Sequence, residues 1–95
     1  MTEAPITRRF KKLVKDLWSW KISDRYQSGV ADMLVLVNGM AHFVELKAEG
    51  KEPRPLQKKW GRDVVKIGGG EYHVVNSKAK AEQLARELLC LKKAK

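Results

Sequence analysis

Apolar residues at Ile6, Phe10, Leu13 and Leu17 recur at the three-to-four-residue spacing of one helix face and predict a first helix near the amino terminus. From residue 33 the period changes. Met33-Leu34-Val35-Leu36-Val37 is an unbroken apolar run, His42-Phe43-Val44-Glu45-Leu46-Lys47 follows it, and Asn38-Gly39 between them is a strong hairpin signal. Near-continuous apolar strands imply that both faces are covered. Leu56, Trp60, Val64 and Ile67 return to helical spacing and mark the buried stripe of a second helix. Pro55 suits its first position and Gly68-Gly69-Gly70 its end. Glu71 to Asn76 reads as a further strand, parallel to a hairpin strand because a helix links the two. Ser77 opens a last helix with Ala81, Leu84, Ala85, Leu88 and Leu91 on its inner side and a basic Lys92-Lys93-Ala94-Lys95 end. The expected fold is α/β in the order α-β-β-α-β-α, a small mixed sheet with a β-hairpin flanked by helices.

The stretch from Trp18 to Gln27 is polar and aromatic by turns, a connector with room for a short strand. Two readings stay open. Lys21, Arg25 and Tyr26 grip phosphates and stack on an unpaired base, or Trp18 and Trp20 close the core while Lys21 and Arg25 are solvated.

Chemistry concentrates where the hairpin begins and ends. With a two-residue turn, Val37 faces Met40, Leu34 faces Phe43, and Asp32 faces Glu45. Directly opposed residues have Cβ atoms roughly 5 Å apart, and like charges there destabilise a sheet. A divalent cation offsets that repulsion, because carboxylate oxygens suit Mg²⁺ or Mn²⁺. Lys47, two residues past Glu45, projects from the same face. Gln57 sits beside the second helical stripe near the helix start, within reach of the Glu45-Lys47 end of the ribbon. Glu3 lies three residues before Ile6 and faces the sheet with it; the same acid, after Thr2 as N-cap, also suits the first turn of a helix. Lys58, Lys59 and Arg62 form either a phosphate track or an ordinary solvated face.

Charge narrows the partner. Twenty Lys and Arg against eleven Asp and Glu give +9 over 95 residues, which points to a polyanion. The length fits one domain, residues 1–95, near the small end of what folds alone. The lone Cys90 excludes an internal disulfide and fits a reducing cytoplasm. His42 and His73 lack zinc spacing and read as packing or rim residues. No stretch approaches the roughly 20 apolar residues of a membrane span, and no signal-peptide block opens the chain, so an intracellular, membrane-free protein is expected.

Gly29-Val30-Ala31-Asp32, then Glu45-Leu46-Lys47, then Pro55-Leu56-Gln57 resembles the VRR-NUC branch of the PD-(D/E)XK nuclease superfamily. The resemblance spans about residues 3 to 76, with Thr2-Glu3-Ala4 similar to the family's leading Glu; Ala31 stands where the family usually has Pro. It implies a restriction-endonuclease-like core and a Mg²⁺- or Mn²⁺-dependent, structure-specific DNA endonuclease. Asp32, Glu45, Glu3 and the Leu46 carbonyl would hold the metal, Lys47 would act on the attacking water, and Gln57 would position Lys47 or a phosphate. A four-way Holliday junction is the substrate it favours, and a phage or mobile element the source it suggests. Resolution by paired nicks, with one cluster per chain, predicts a homodimer. The Trp18-Trp20 exit of the first helix and the last helix around Leu88 and Leu91 are the surfaces expected to pair. A restriction-type or flap endonuclease with the same site is one alternative; a non-catalytic basic DNA-binding module is another.

Overall fold

Asn38 and Gly39 both take positive φ, 51° and 84°, the left-handed backbone that a two-residue hairpin turn requires. That turn fixes the register of everything around it. A computed structural model describes residues 5–22 and 30–93. In chain order they form α1 (Pro5–Leu13), β1 (Trp18–Lys21), β2 (Met33–Val37), β3 (Met40–Leu46), α2 (Pro55–Lys66), β4 (Glu71–Val75) and α3 (Lys78–Lys93). The hairpin pairs Val37 with Met40, Leu34 with Phe43 and Met33 with Val44, as counting from the turn predicts. The connector supplies β1, antiparallel to β2, and β4 runs parallel to β3 through the α2 crossover. The sheet order is β1-β2-β3-β4.

Facing residues on paired strands share a side of the sheet, so the register sorts the whole sheet into two faces. Met33, Val35, Val37, Val44 and Val75 lie on one and merge with Ile6, Phe10, Val14 and Leu17 of the α1 segment and with Ala81, Leu84, Ala85 and Leu88 of α3. This is the core. Trp18, Trp20, Leu34, Leu36, Phe43, Glu45, Tyr72 and Val74 occupy the other face. There Trp60 of α2 packs edge-on against Phe43 and Tyr72.

Helix α2 is rotated from the expected stripe. Leu56 and Ile67 are exposed, Ile67 to 83%, whereas Gln57 and Gly61 are buried beside the half-buried Trp60 and Val64. The cause is a close crossing: a Cβ on Gly61 would stand 2.5 Å from the Tyr72 ring, so only glycine lets the helix settle there. Because α2 covers the β3-β4 side, the β1-β2 half of that face stays open. Leu36, Trp18 (54%) and Trp20 (63%) are therefore exposed, and the two indoles stack on each other rather than closing the core. On α3, Leu88 belongs to the core while Leu91 points outward, so only Leu91 of that pair is open to a second chain.

Candidate active site

Asp32 is the hinge between three strands. Its carbonyl accepts from the Ile22 N–H at 2.9 Å and its Oδ2 from the Leu46 N–H at 2.8 Å, which ties β1 and the end of β3 to the start of β2. The next pair in the hairpin register after Met33 and Val44 is Asp32 with Glu45. Glu45 is 1% exposed, the only carboxylate among the buried described residues. A buried carboxylate is costly unless it is hydrogen-bonded or neutralised.

Three groups close on it. Gln57 donates from Nε2 to Glu45 Oε1 at 3.3 Å, and the Tyr72 hydroxyl donates to Oε2 at 3.4 Å. The Asp32 carboxyl stands within hydrogen-bonding reach. Gln57 is held in turn by the start of α2, where its Oε1 accepts from the Arg54 N–H at 2.9 Å. That bond satisfies an open helix-end donor and leaves the amide NH₂ facing Glu45. Burial, then the hydrogen bond and negative charge of Asp32, push Glu45 up to about 8, against the pull of the Lys47 ammonium and the Tyr72 hydroxyl. Tyr72 is itself raised, by burial and then by the charge of Glu45, so its hydroxyl remains a proton donor.

A buried Glu45 carboxyl that retains its proton near neutrality, beside a second carboxyl, is a fit for a hard divalent cation, which supplies the positive charge that the proton otherwise provides. Among the described residues no three His, Cys, Asp or Glu side chains gather as a metal site. Asp32 and Glu45 are the pair present. Glu3, the third expected carboxylate, lies outside the described residues, as do Arg25, Tyr26 and the Ser28-Gly29 start of the motif.

Lys47 leaves β3 with its N–H bonded to the Val75 carbonyl at 2.9 Å. The loop beyond is clamped by Asn76, whose Nδ2 donates to the Lys51 carbonyl at 2.7 Å and whose carbonyl accepts from Gly50 at 3.0 Å. The other expected cations are placed apart. Lys58, Lys59 and Arg62 are exposed on α2, Lys59 in an ion pair with Asp63 at 3.2 Å. Lys21 is exposed and, paired with Met33, belongs to the opposite face from Glu45.

Tyr72 and Asn76 were not singled out by the sequence pattern. The signal for Tyr72 was the parallel pairing of β4, which sets Tyr72 and Val74 on the Glu45 side once the register is known. His42 and His73 are not isolated packing residues. They stack across β3 and β4 on the core face, with 3.1 Å between His42 Nδ1 and His73 Nε2.

No protein-family model and no curated protein matches the chain. A solved structure described as a VRR_NUC domain does. It shares 29% identity with a TM-score of 0.74, over 85% of this chain and 90% of that one. The likeness extends over nearly the full length, on a sheet that brings the Glu45-Leu46-Lys47 and Asp32 segments together, and it gives the chain the fold of a VRR-NUC nuclease domain and a sequence similar to one.

Proposed function

We propose that the domain hydrolyses phosphodiester bonds in branched DNA, with a four-way junction as the preferred substrate, in a Mg²⁺- or Mn²⁺-dependent reaction carried out by a homodimer. The observation that supports it most is the buried Glu45 held against Asp32, with Lys47 close enough to lower its proton affinity. Asp32 and Glu45, with Glu3 and the Leu46 carbonyl, are the groups assigned to the cation. When bound, that ion neutralises phosphate charge and acidifies a water.

The remaining work falls to the chain's own groups. Lys47 orients the attacking water and offsets the negative charge that builds on the phosphate as water adds to phosphorus and the bond to the leaving sugar oxygen breaks. Gln57 and Tyr72 hold the Glu45 carboxylate by its two oxygens, so that it meets ligand and substrate in one orientation. Lys58 and Arg62, exposed on the helix that carries Gln57, supply phosphate affinity. A charge of +9 supports a polyanionic substrate.

Dimerisation rests on symmetry and on surface. Two nicks related by a two-fold axis need two sites, and each chain offers one Asp32-Glu45-Lys47 cluster. The exposed Trp18-Trp20 stack beside Leu36 is an apolar patch that a second copy would cover.

Labelled four-way junction, flap and linear duplex, incubated with and without Mg²⁺, test the activity. Paired nicks in the junction, lost in EDTA, are expected. Cleavage that persists in EDTA rejects metal dependence, and equal cutting of linear duplex rejects structure specificity. Light scattering at micromolar concentration is expected to return about twice the 10.8 kDa chain mass. Monomer mass, with junctions still resolved by paired nicks at one protein per site, rejects the dimer.

A further inference from the structure

Beside the carboxylate site lies a slot of about 460 Å³ between α2 and the free edge of β4. Its volume falls in the range of roughly 300–1,000 Å³ that accommodates small ligands. Tyr72 and Val74 line one side, and Gly61 and Val65 the other. Val65 is 47% exposed, an apolar side chain lining an open slot. Gly61 decides its shape, because the helix could not approach Tyr72 so closely with any side chain there.

The rim has a different character. Lys58, Arg62 and Lys66 follow one another at four-residue intervals along α2 and all border the slot. Each step is about 6 Å of helix rise, so three cations extend over about 12 Å. Glu52, at the loop end, is the one acid of the lining, which leaves the cations in excess. An apolar interior with a row of cations suits a ligand that has a flat apolar body and several anionic groups. A single nucleotide within a DNA strand has that chemistry: the base enters an apolar, aromatic-walled space and its flanking phosphates meet the cations.

Tyr72 joins the slot to the site. Its ring walls the slot while its hydroxyl donates to Glu45. We infer that the slot is a nucleotide subsite, which takes an unpaired base immediately next to the scissile phosphate and selects DNA that carries one. A base in an intact pair cannot enter without leaving its stack, which costs a few kcal/mol. DNA already unpaired at that point avoids the cost, and a pair opened at the branch point of a four-way junction lowers it. The inference rests on the proposed nuclease reading and names the DNA feature that the site selects.

Binding in EDTA separates the subsite from catalysis. The probes are two duplexes of the same sequence, one fully paired and one with a single unpaired 5-iodouracil. Wild-type protein is expected to bind the second about tenfold more tightly, in keeping with the stacking of one base, and to cross-link under ultraviolet light at Tyr72. Val65→Glu, which puts a carboxylate into the slot from an exposed position, is expected to abolish both the preference and the cross-link. Lys66→Gln, a milder surface change, should reduce the preference by a few fold; circular dichroism checks that both variants fold. Equal affinity of wild type for the two duplexes overturns the subsite, as does a preference unchanged in both folded variants, or a cross-link at Trp18 or Trp20 instead of Tyr72. The two readings fail separately. Preference and Tyr72 cross-link without Mg²⁺-dependent cleavage would sink the nuclease reading alone, and cleavage without preference would sink the subsite alone.

Discussion

On the side of the sheet packed by α1 and α3, the central rows are Met33 with Val44 and Val35 with His42, and Phe10, Val35 and Val44 are sealed from solvent. On the α2 side the same strands present Glu45, Tyr72 and an open shelf of Trp18, Trp20 and Leu36. The packed centre of one face is apolar save for the His42-His73 pair, with Ser19, Lys21 and Glu71 on its outer strands; the other face puts a carboxylate where burial disfavours its charge. Strands alternate sides at every residue, so a single hairpin register serves both purposes. Stability comes mainly from one face and the proposed chemistry from the other, and substitutions on each should therefore move different observables.

The largest effect expected is on the site side. Lys47→Ala should lower junction nicking by about 10²–10⁴-fold, the usual range for losing a group that acts on the proton or charge of the transition state. Folding and junction binding should stay nearly intact, because many other cations bind phosphate. Gel assays of nicking and of binding on one preparation decide it. Near-normal cutting, or loss of binding as well, would assign Lys47 another role.

Phe10→Ala is the counterpart on the core side. Deleting a fully buried ring should cost about 3–5 kcal/mol of stability, read by urea unfolding. At temperatures where the variant is still folded, its nicking rate should be close to that of wild type. A folded variant that cuts much more slowly would mean that the two faces are coupled.

What could be read from the chain follows the same division. Periodicities and the Asn38-Gly39 turn specify the hairpin, and the hairpin places Asp32 next to Glu45 in register, because sheet geometry is local and has a period of two. Gln57 was legible from its position at the start of α2 and reaches Glu45. Less legible were features set by the packing of distant segments. The rotation of α2 arises from the Gly61-Tyr72 approach, a steric fit between a helix and a strand that no spacing along either reveals. Tyr72 likewise reaches Glu45 only because a crossover lays β4 parallel to β3. The apolar run of β2 implied cover on both sides, yet α2 reaches only part of the second face and leaves Leu36 exposed. β1 has no long apolar pattern of its own, since it is an edge strand with two exposed indoles.

A smaller effect, in stability against pH, distinguishes the faces by sign. Glu45 is raised from 4.5 to about 8, so without metal its burial favours the fold most below pH 4.5 and loses that contribution as pH rises toward 8. His42 and His73 are both lowered, chiefly by burial, from 6.5; their contribution is present above 6.5 and is lost on acidification. Between pH 6.5 and 8 the Glu45 loss outweighs the last of the histidine gain, about 0.4 kcal/mol for each imidazole that is half-protonated in the unfolded chain at pH 6.5. In EDTA, wild-type stability should fall by on the order of 1 kcal/mol across that interval, and Glu45→Gln should remove the fall. A wild-type melting temperature that rises over this range, or a variant with the same slope, would contradict the placement of the proton on Glu45.

The smallest expected effect is the most direct measure of the conflict at the mouth of the hairpin. Asp32→Asn keeps a side-chain oxygen to accept from the Leu46 N–H, so the strand end remains anchored. It removes the negative charge that opposes ionisation of Glu45 and brings an amide that donates to the Glu45 carboxylate. In EDTA at pH 8 the variant should be more stable than wild type by about 1 kcal/mol, the magnitude expected for relieving like charges across a strand pair. The same change removes one of the two carboxylates assigned to the cation, so the rise in melting temperature expected for wild type in Mn²⁺, through preferential binding to the folded state, should be absent from the variant. Paired thermal melts in EDTA and in Mn²⁺ read both effects. A stabler variant that still gained a full Mn²⁺ shift would leave the repulsion argument standing and remove Asp32 as a ligand, whereas a less stable variant would show that Asp32 supports the fold through its charge.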